Sequence, residues 1–143
     1  MDFMTSFRVL SSGFSAQRTK MDVIASNLAN VSTTSTPEGG PYKRKTAVFS
    51  SENTRKKFSF RDKLKDAVKS VALKEVVEGK EGFRKVYDPS HPDADEQGNV
   101  TMPNVNVVME MTDMITASRA YEACVTAFDA TKSMALKTLD IGK

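Results

Sequence analysis

Phe3, Phe7, Leu10, Phe14, Gln17, Met21, Ile24, Leu28 and Val31 follow one another at alternating intervals of four and three residues, and eight of the nine are apolar. A 3.5-residue repeat held over that distance is the seam of a helix that packs lengthwise on another helix. At 1.5 Å per residue, a helix over residues 3–31 is about 43 Å long, more than a small globule can cover, so it needs a long partner. Val107, Met111, Met114, Ser118, Tyr121, Val125, Phe128, Lys132, Ala135 and Leu139 repeat the spacing less cleanly and supply that partner. The pattern predicts two long terminal helices paired as an antiparallel coiled coil. The second begins after Pro103-Asn104, with Asn104 or Asn106 as its cap, and Gly142 suits its end.

Between the helices the period changes. Residues 32–41 carry a Ser/Thr run with Pro37, Gly39, Gly40 and Pro41, which breaks a helix and makes a loop. Tyr42 to Phe49 has the composition of a strand, and Phe60 to Val68 that of a short helix. Val71, Leu73, Val76 and Val77, then Phe83, Val86 and Tyr87, are two β-prone runs joined through Gly79 to Gly82, which predicts a hairpin. The expected fold is mainly α with a small, partly β middle. Its organisation is an N-terminal helix in residues 1–35, a linker and outer domain in 36–104, and a C-terminal helix in 105–143.

The faces beside the first seam are unusual for a helix in water. Residues 3–31 hold only four charges, Arg8, Arg18, Lys20 and Asp22, while Ser11, Ser12, Gly13, Ser15, Ala16, Ala25, Ser26, Asn27, Ala29 and Asn30 are small or uncharged. Such a surface suits further helix packing. Gly13 costs about 1 kcal/mol relative to alanine inside a helix, which either close contact with a neighbour or simple tolerance explains. Charge is partitioned along the 143 residues: net zero for 1–42, +8 for 43–85 and −5 for 86–143. That asymmetry suits head-to-tail contact between copies, an anionic partner for the middle, or simply a solvated basic face.

Catalytic constellations are lacking. A single cysteine, Cys124, cannot form an intramolecular disulfide, and a single histidine, His91, leaves no ordinary zinc site or Ser/His/Asp set. Asp93 to Gly98 resembles the opening of a calcium-binding loop, but the twelfth position is Asn104, which lacks the bidentate carboxylate. Thr54 to Arg61 interleaves cations with Phe58 and Phe60 in the manner of single-strand nucleic-acid grooves, yet two phenylalanines in a small domain are more often core. His91 suits a hydrogen-bonded loop residue, and Cys124 a small buried hydrophobe. The expectation is a protein that is not an enzyme, with no cofactor and no metal. No stretch approaches the ~18 apolar residues of a bilayer span, and residues 1–20 lack a signal peptide's features, so neither direct membrane insertion nor signal-peptide cleavage is expected.

Ser12-Gly13, Ala16, Asn27-Leu28-Ala29-Asn30 and Gly39-Gly40-Pro41-Tyr42-Lys43-Arg44-Lys45 resemble the N-terminal motif of the bacterial flagellar rod, hook and axial protein family. Pro103 to Val107, Glu110-Met111, Asp113-Met114-Ile115, Ser118 to Glu122 and Lys132 resemble its C-terminal end. The loop Val86 to Asp95, with the short length, points within that family to the proximal rod. Two positions depart from the family pattern: Cys124 stands where an asparagine is usual, and Asp129 where one is common.

The resemblance implies a structural subunit of the drive shaft that spans the periplasm in the basal body. It implies export by the flagellar type III apparatus and terminal helices paired inside a hollow tube, with the middle facing outward. The implied partners are copies of the chain itself, the rod proteins FlgB, FlgF, FlgG and FliE, and the export apparatus, with no nucleic acid. The candidate assembly residues are Phe3, Phe7, Leu10, Gly13, Phe14, Met21, Ile24, Asn27, Leu28, Asn30 and Val31 on the first segment. On the last they are Asn104, Asn106, Val107, Met111, Met114, Tyr121, Val125, Phe128 and Leu139. The four asparagines suit hydrogen bonds between subunits or, equally, helix caps and turns. Long helices with an apolar seam gain little alone, so they are expected to be largely disordered in the monomer and to order on docking. The alternative is a cytosolic coiled-coil adaptor binding an anionic partner through its basic middle.

Overall fold

The computed structural model describes residues 3–53, 69–79 and 82–141. Among these residues two long helices, α1 (Phe3–Ala29) and α2 (Val107–Ile141), enclose four strands in the sequence: β1 (Lys45–Asn53), β2 (Lys69–Glu78), β3 (Arg84–Tyr87) and β4 (Asn99–Met102). The strands form two separate antiparallel pairs, β1 with β2 and β3 with β4. The short helix expected at Phe60 to Val68 and the end of α2 at Gly142 lie outside the described residues.

Local chemistry sets the helix ends. The backbone of Asn30 closes on Ser26 at 3.2 Å, and the Asn30 Nδ2 donates to the same carbonyl at 2.8 Å. Gly39 and Gly40 then turn the chain with φ of 90° and 77°, values that only glycine adopts without strain. At the other end, Asn106 Oδ1 accepts the N–H groups of Val108 and Met109 at 3.1 and 3.2 Å, which makes it the cap of α2.

The helices pack against each other with opposite direction. Phe7 meets Phe128 and Phe14 meets Tyr121, both edge-on with ring centroids 5.2 Å apart, so rising numbers on α1 face falling numbers on α2. On α1 the predicted seam is the covered one: Phe7 to Val31 are half-buried or buried, with Ile24 at 5% exposure, while Phe3 is exposed. On α2 half of the predicted seam is displaced by one residue. Met114, Tyr121, Phe128 and Ala135 face α1 as expected, but the alternate positions are Glu110, Ala117, Cys124 and Thr131, and their neighbours Met111, Val125 and Lys132 are exposed. Size explains the shift: a Cβ on Gly13 would stand 3.4 Å from the Cys124 Sγ, an approach between helices that small facing residues permit.

The β runs pair differently from the predicted hairpin. The Val71–Val77 run joins β1, over a register from Lys45↔Glu78 to Asn53↔Lys69 with an irregularity between Val48 and Phe49. The Phe83–Tyr87 run instead pairs with β4. Nine residues of β1 offer β2 a full-length partner, whereas β3 has only four. A two-stranded ribbon is marginal alone in water, and this one lies along α1: the Val71 N–H donates to Ser12 Oγ at 3.2 Å, and that hydroxyl donates to the Val9 carbonyl at 2.7 Å. In the smaller pair Val100 is fully buried, and Gly98, at φ 76°, makes the turn under the Tyr87 ring.

Candidate assembly site

The most densely bonded part of the molecule lies where the end of α1, the start of β1 and the start of α2 converge. Asn27 is 1% exposed on the last turns of α1 and uses both ends of its amide. Its Oδ1 accepts the Lys45 N–H at 2.8 Å and the Tyr42 hydroxyl at 3.0 Å. Its Nδ2 donates to the Lys45 carbonyl at 2.8 Å and to Glu110 Oε2 at 3.0 Å. Asn27 thereby mimics a strand partner for Lys45 and pins the base of the ribbon to the helix pair.

Glu110, also 1% exposed, carries a charge into this site. A buried carboxylate is tolerated only when paired and hydrogen-bonded. Arg44 supplies the pair: its Nε donates to Glu110 Oε1 at 2.6 Å, and its Nη2 lies 3.9 Å from Asp113. Arg44 is held in turn by its backbone, whose N–H donates to Asn104 Oδ1 at 3.0 Å and whose carbonyl accepts Gly79 N–H at 2.7 Å. Gly79 allows this closeness, since a Cβ there would meet the Arg44 carbonyl oxygen and Asn104 Nδ2 at 3.3 Å. Among the described residues no buried side-chain polar atom lacks a partner.

The four asparagines singled out in the sequence are therefore engaged within the chain. Asn27 and Asn104 hold the convergence, Asn106 caps α2, and Asn30 binds Ser26 and accepts the Thr33 hydroxyl at 3.2 Å. Of the apolar candidates, Phe7, Leu10, Phe14, Met21, Ile24, Leu28, Met114, Tyr121 and Phe128 lie along or beside the seam, and Val31 is half-buried just past it. Phe3, Val107, Met111, Val125 and Leu139 are instead exposed, from 38% for Val107 to 69% for Leu139. Glu110, Arg44 and Tyr42 were not among the sequence candidates. A signal for Glu110 was present: it stands four residues before Met114, in register with the covered positions of α2.

The acidic loop is bound to the helix end as well, since Thr34 Oγ1 donates to Asp93 Oδ2 at 2.6 Å. Hydrogen bonds to Asp88 from the Ser90 hydroxyl and N–H, and to Asp95 from the backbone N–H groups of Asn99 and Gln97, hold both carboxyls below the usual carboxylate range. The His91 Nδ1 accepts the Asp93 N–H at 3.1 Å. Among the described residues no group of three or more His, Cys, Asp or Glu is placed to hold a metal, and no helix is long and apolar enough to cross a membrane.

Two family models match the two helical ends: the flagella basal body rod protein model over residues 7–35, and the flagellar basal body rod FlgEFG protein C-terminal model over residues 96–141. This is the class of flagellar rod proteins, whose terminal segments the models describe. Whole-chain relatives narrow it. The chain is 43% identical to the flagellar basal-body rod protein FlgC of Borreliella burgdorferi, over 99% of this chain and 98% of that one. It is 39% identical to FlgC of Bacillus subtilis, over 96% and 97%, and 36% identical to FlgC of Salmonella typhimurium over the full length of both. The chain belongs to the family of the flagellar basal-body rod protein FlgC.

Proposed function

We propose that the chain is a structural subunit of the proximal rod of the bacterial flagellum, built into a hollow shaft through its terminal helices. The observation that carries this reading, beside family membership, is the state of α2. One stripe is covered by α1, while Val108, Met111, Ile115, Leu136 and Leu139 remain more than half exposed along the same helix. Burying the part still exposed is worth about 1–2 kcal/mol for each, so a helix of this kind gains from neighbours.

Assembly proceeds with ordering. The convergence around Asn27 and Glu110 keeps one end of the helix pair fixed in the free chain, and the far ends order as copies and other rod proteins dock on them. There the seam tightens into a coiled coil, with residues 36–104 outside it. Delivery is by the flagellar type III export apparatus to the periplasm. The test is localisation: a tagged copy is expected in purified basal bodies, and deletion of its gene is expected to abolish motility. A tagged copy that complements motility but is absent from basal bodies overturns the reading. Circular dichroism of the dilute monomer tests the ordering step, which fails if helicity is already complete and melts cooperatively.

A further inference from the structure

We infer that His91 is a pH-sensitive latch: its neutral ring keeps the acidic loop of residues 88–98 fastened to the end of α1, and its protonated ring lets the loop go. The loop meets the helix end through a short bond, from the Thr34 hydroxyl to Asp93 Oδ2 at 2.6 Å. Such a bond is directional, so it holds only while the backbone that carries the carboxylate stays in place. His91 keeps it there. Its Nδ1 accepts the Asp93 N–H at 3.1 Å, reaching across Pro92, which has no N–H of its own. The His91 backbone is pinned on both sides, its N–H donating to the Asp88 carbonyl at 3.3 Å and its carbonyl accepting the Ala94 N–H at 3.1 Å. The ring is the part of this turn that can answer to acid.

An imidazole nitrogen accepts a hydrogen bond only while it carries no proton. A proton on Nδ1 sets one donor against another, and the Asp93 N–H loses its partner. The same proton creates a cation between carboxylates. Asp88 already feels the charge of His91, and Asp93 is two residues away. An imidazolium drawn to Asp93 competes with the Thr34 hydroxyl for the same oxygens. Little else stands near to offset this. Residues 29–36 at the helix end and β4 carry no charge, and Asp95 and Glu96 come later in the loop. On β3 lie Arg84 and Lys85, of which Lys85 acts on Asp95.

His91 is the one histidine of the chain, and histidine is the side chain whose charge ordinarily changes between pH 5 and 8. Carboxyl groups ordinarily titrate below that window. The bonds within their own turns hold Asp88 and Asp95 lower still. Those turns stay closed while the latch opens, so the loop leaves α1 as a formed unit. The fastening is complete above the histidine window and is lost as the pH falls through it.

The test is nuclear magnetic resonance on the full chain. Nuclear Overhauser contacts between the Thr34 methyl and the Asp93 β-protons are expected at pH 7.5. By pH 5.5 they should weaken at least threefold, in step with the titration of the His91 ring protons. His91→Asn keeps an oxygen that accepts the N–H two residues on at every pH, and is expected to hold the contacts unchanged over the range. His91→Ala lacks any acceptor and is expected to show the weakened contacts already at pH 7.5, with the helix signals unchanged. Contacts that are missing from the unmodified chain at pH 7.5, persist in it at pH 5.5, weaken equally in His91→Asn or survive in His91→Ala overturn the inference.

Discussion

The two ends of the helix pair are held by different physics. Where α1 ends and α2 begins, Asn27, Glu110, Arg44 and Tyr42 form a directional network whose buried polar atoms all have partners. Toward the start of α1, Phe7 and Phe14 stack on Phe128 and Tyr121 without a hydrogen bond between them, and Met4 and Leu139 are 62% and 69% exposed. A directional network fixes one register because any slip leaves a buried charge unpaired, whereas aromatic contact tolerates adjustment. The first end fixes the register of the pair and the second tolerates adjustment.

The sharpest way to break this contrast is Glu110→Ala, which takes from Arg44 its shortest ion pair and from Asn27 the partner of one donor. It is expected to lower stability by about 3 kcal/mol, read as the midpoint of urea unfolding followed by tyrosine fluorescence. A cost below 1 kcal/mol would mean that the network does not hold this end. Leu28→Asp and Leu10→Asp each bury an unpaired charge and are expected to abolish incorporation and motility. In the free chain they should part company, with Leu28→Asp, next to the network, losing more helicity than Leu10→Asp. Equal losses would erase the difference between the ends.

Gly13 sharpens the comparison further. Gly13→Val pushes two methyl groups toward the Cys124 Sγ, 3.4 Å from the Cβ position, and is expected to cost about 1–3 kcal/mol. Gly13→Ala makes an ordinary contact and gains helix propensity, so its expected effect lies between zero and about 1 kcal/mol of stabilisation, measured in the same unfolding experiment. The smallest effect concerns the acidic loop. The carboxyls of Asp88 and Asp95 titrate below their ordinary value, so their hydrogen bonds add stability above that value and lose it as the pH falls through the lowered ones. The protection factors of the Ser90, Gln97 and Asn99 amides, exchange rates corrected for the intrinsic pH dependence, are expected to hold at neutral pH and to fall only below the ordinary carboxylate range.

Periodicity carried the helices. Seven seam positions on α1, from Phe7 to Leu28 at steps of four and three, could be read directly, because one face of that helix meets α2 and the ribbon lies on an adjoining face. On α2 the same method landed one residue away at alternate positions, since Met111 and Val125 fit the step of four and three with larger apolar side chains than Glu110 and Cys124 offer. Both exposed residues belong to a second apolar stripe, and a helix with two such stripes gives a pattern that a single seam cannot fit. Strand pairing was illegible for another reason: β-prone runs announce themselves locally, but the partner of β2 lies beyond residues 54–68, and proximity in sequence favoured β3. The convergence at Asn27 was unreadable because a carboxylate and a guanidinium 66 positions apart leave no periodic trace.

Among the described residues the ribbon is fastened to α1 by Lys45 on Asn27 and by Val71 on Ser12. Those helix positions are separated by about 22 Å of helix. A strip bolted at one spot can swivel, while one bolted at two can only twist along with its support. A sideways force on the ribbon is thereby delivered to the long axis of the helix pair as torque instead of being lost in a loose hinge.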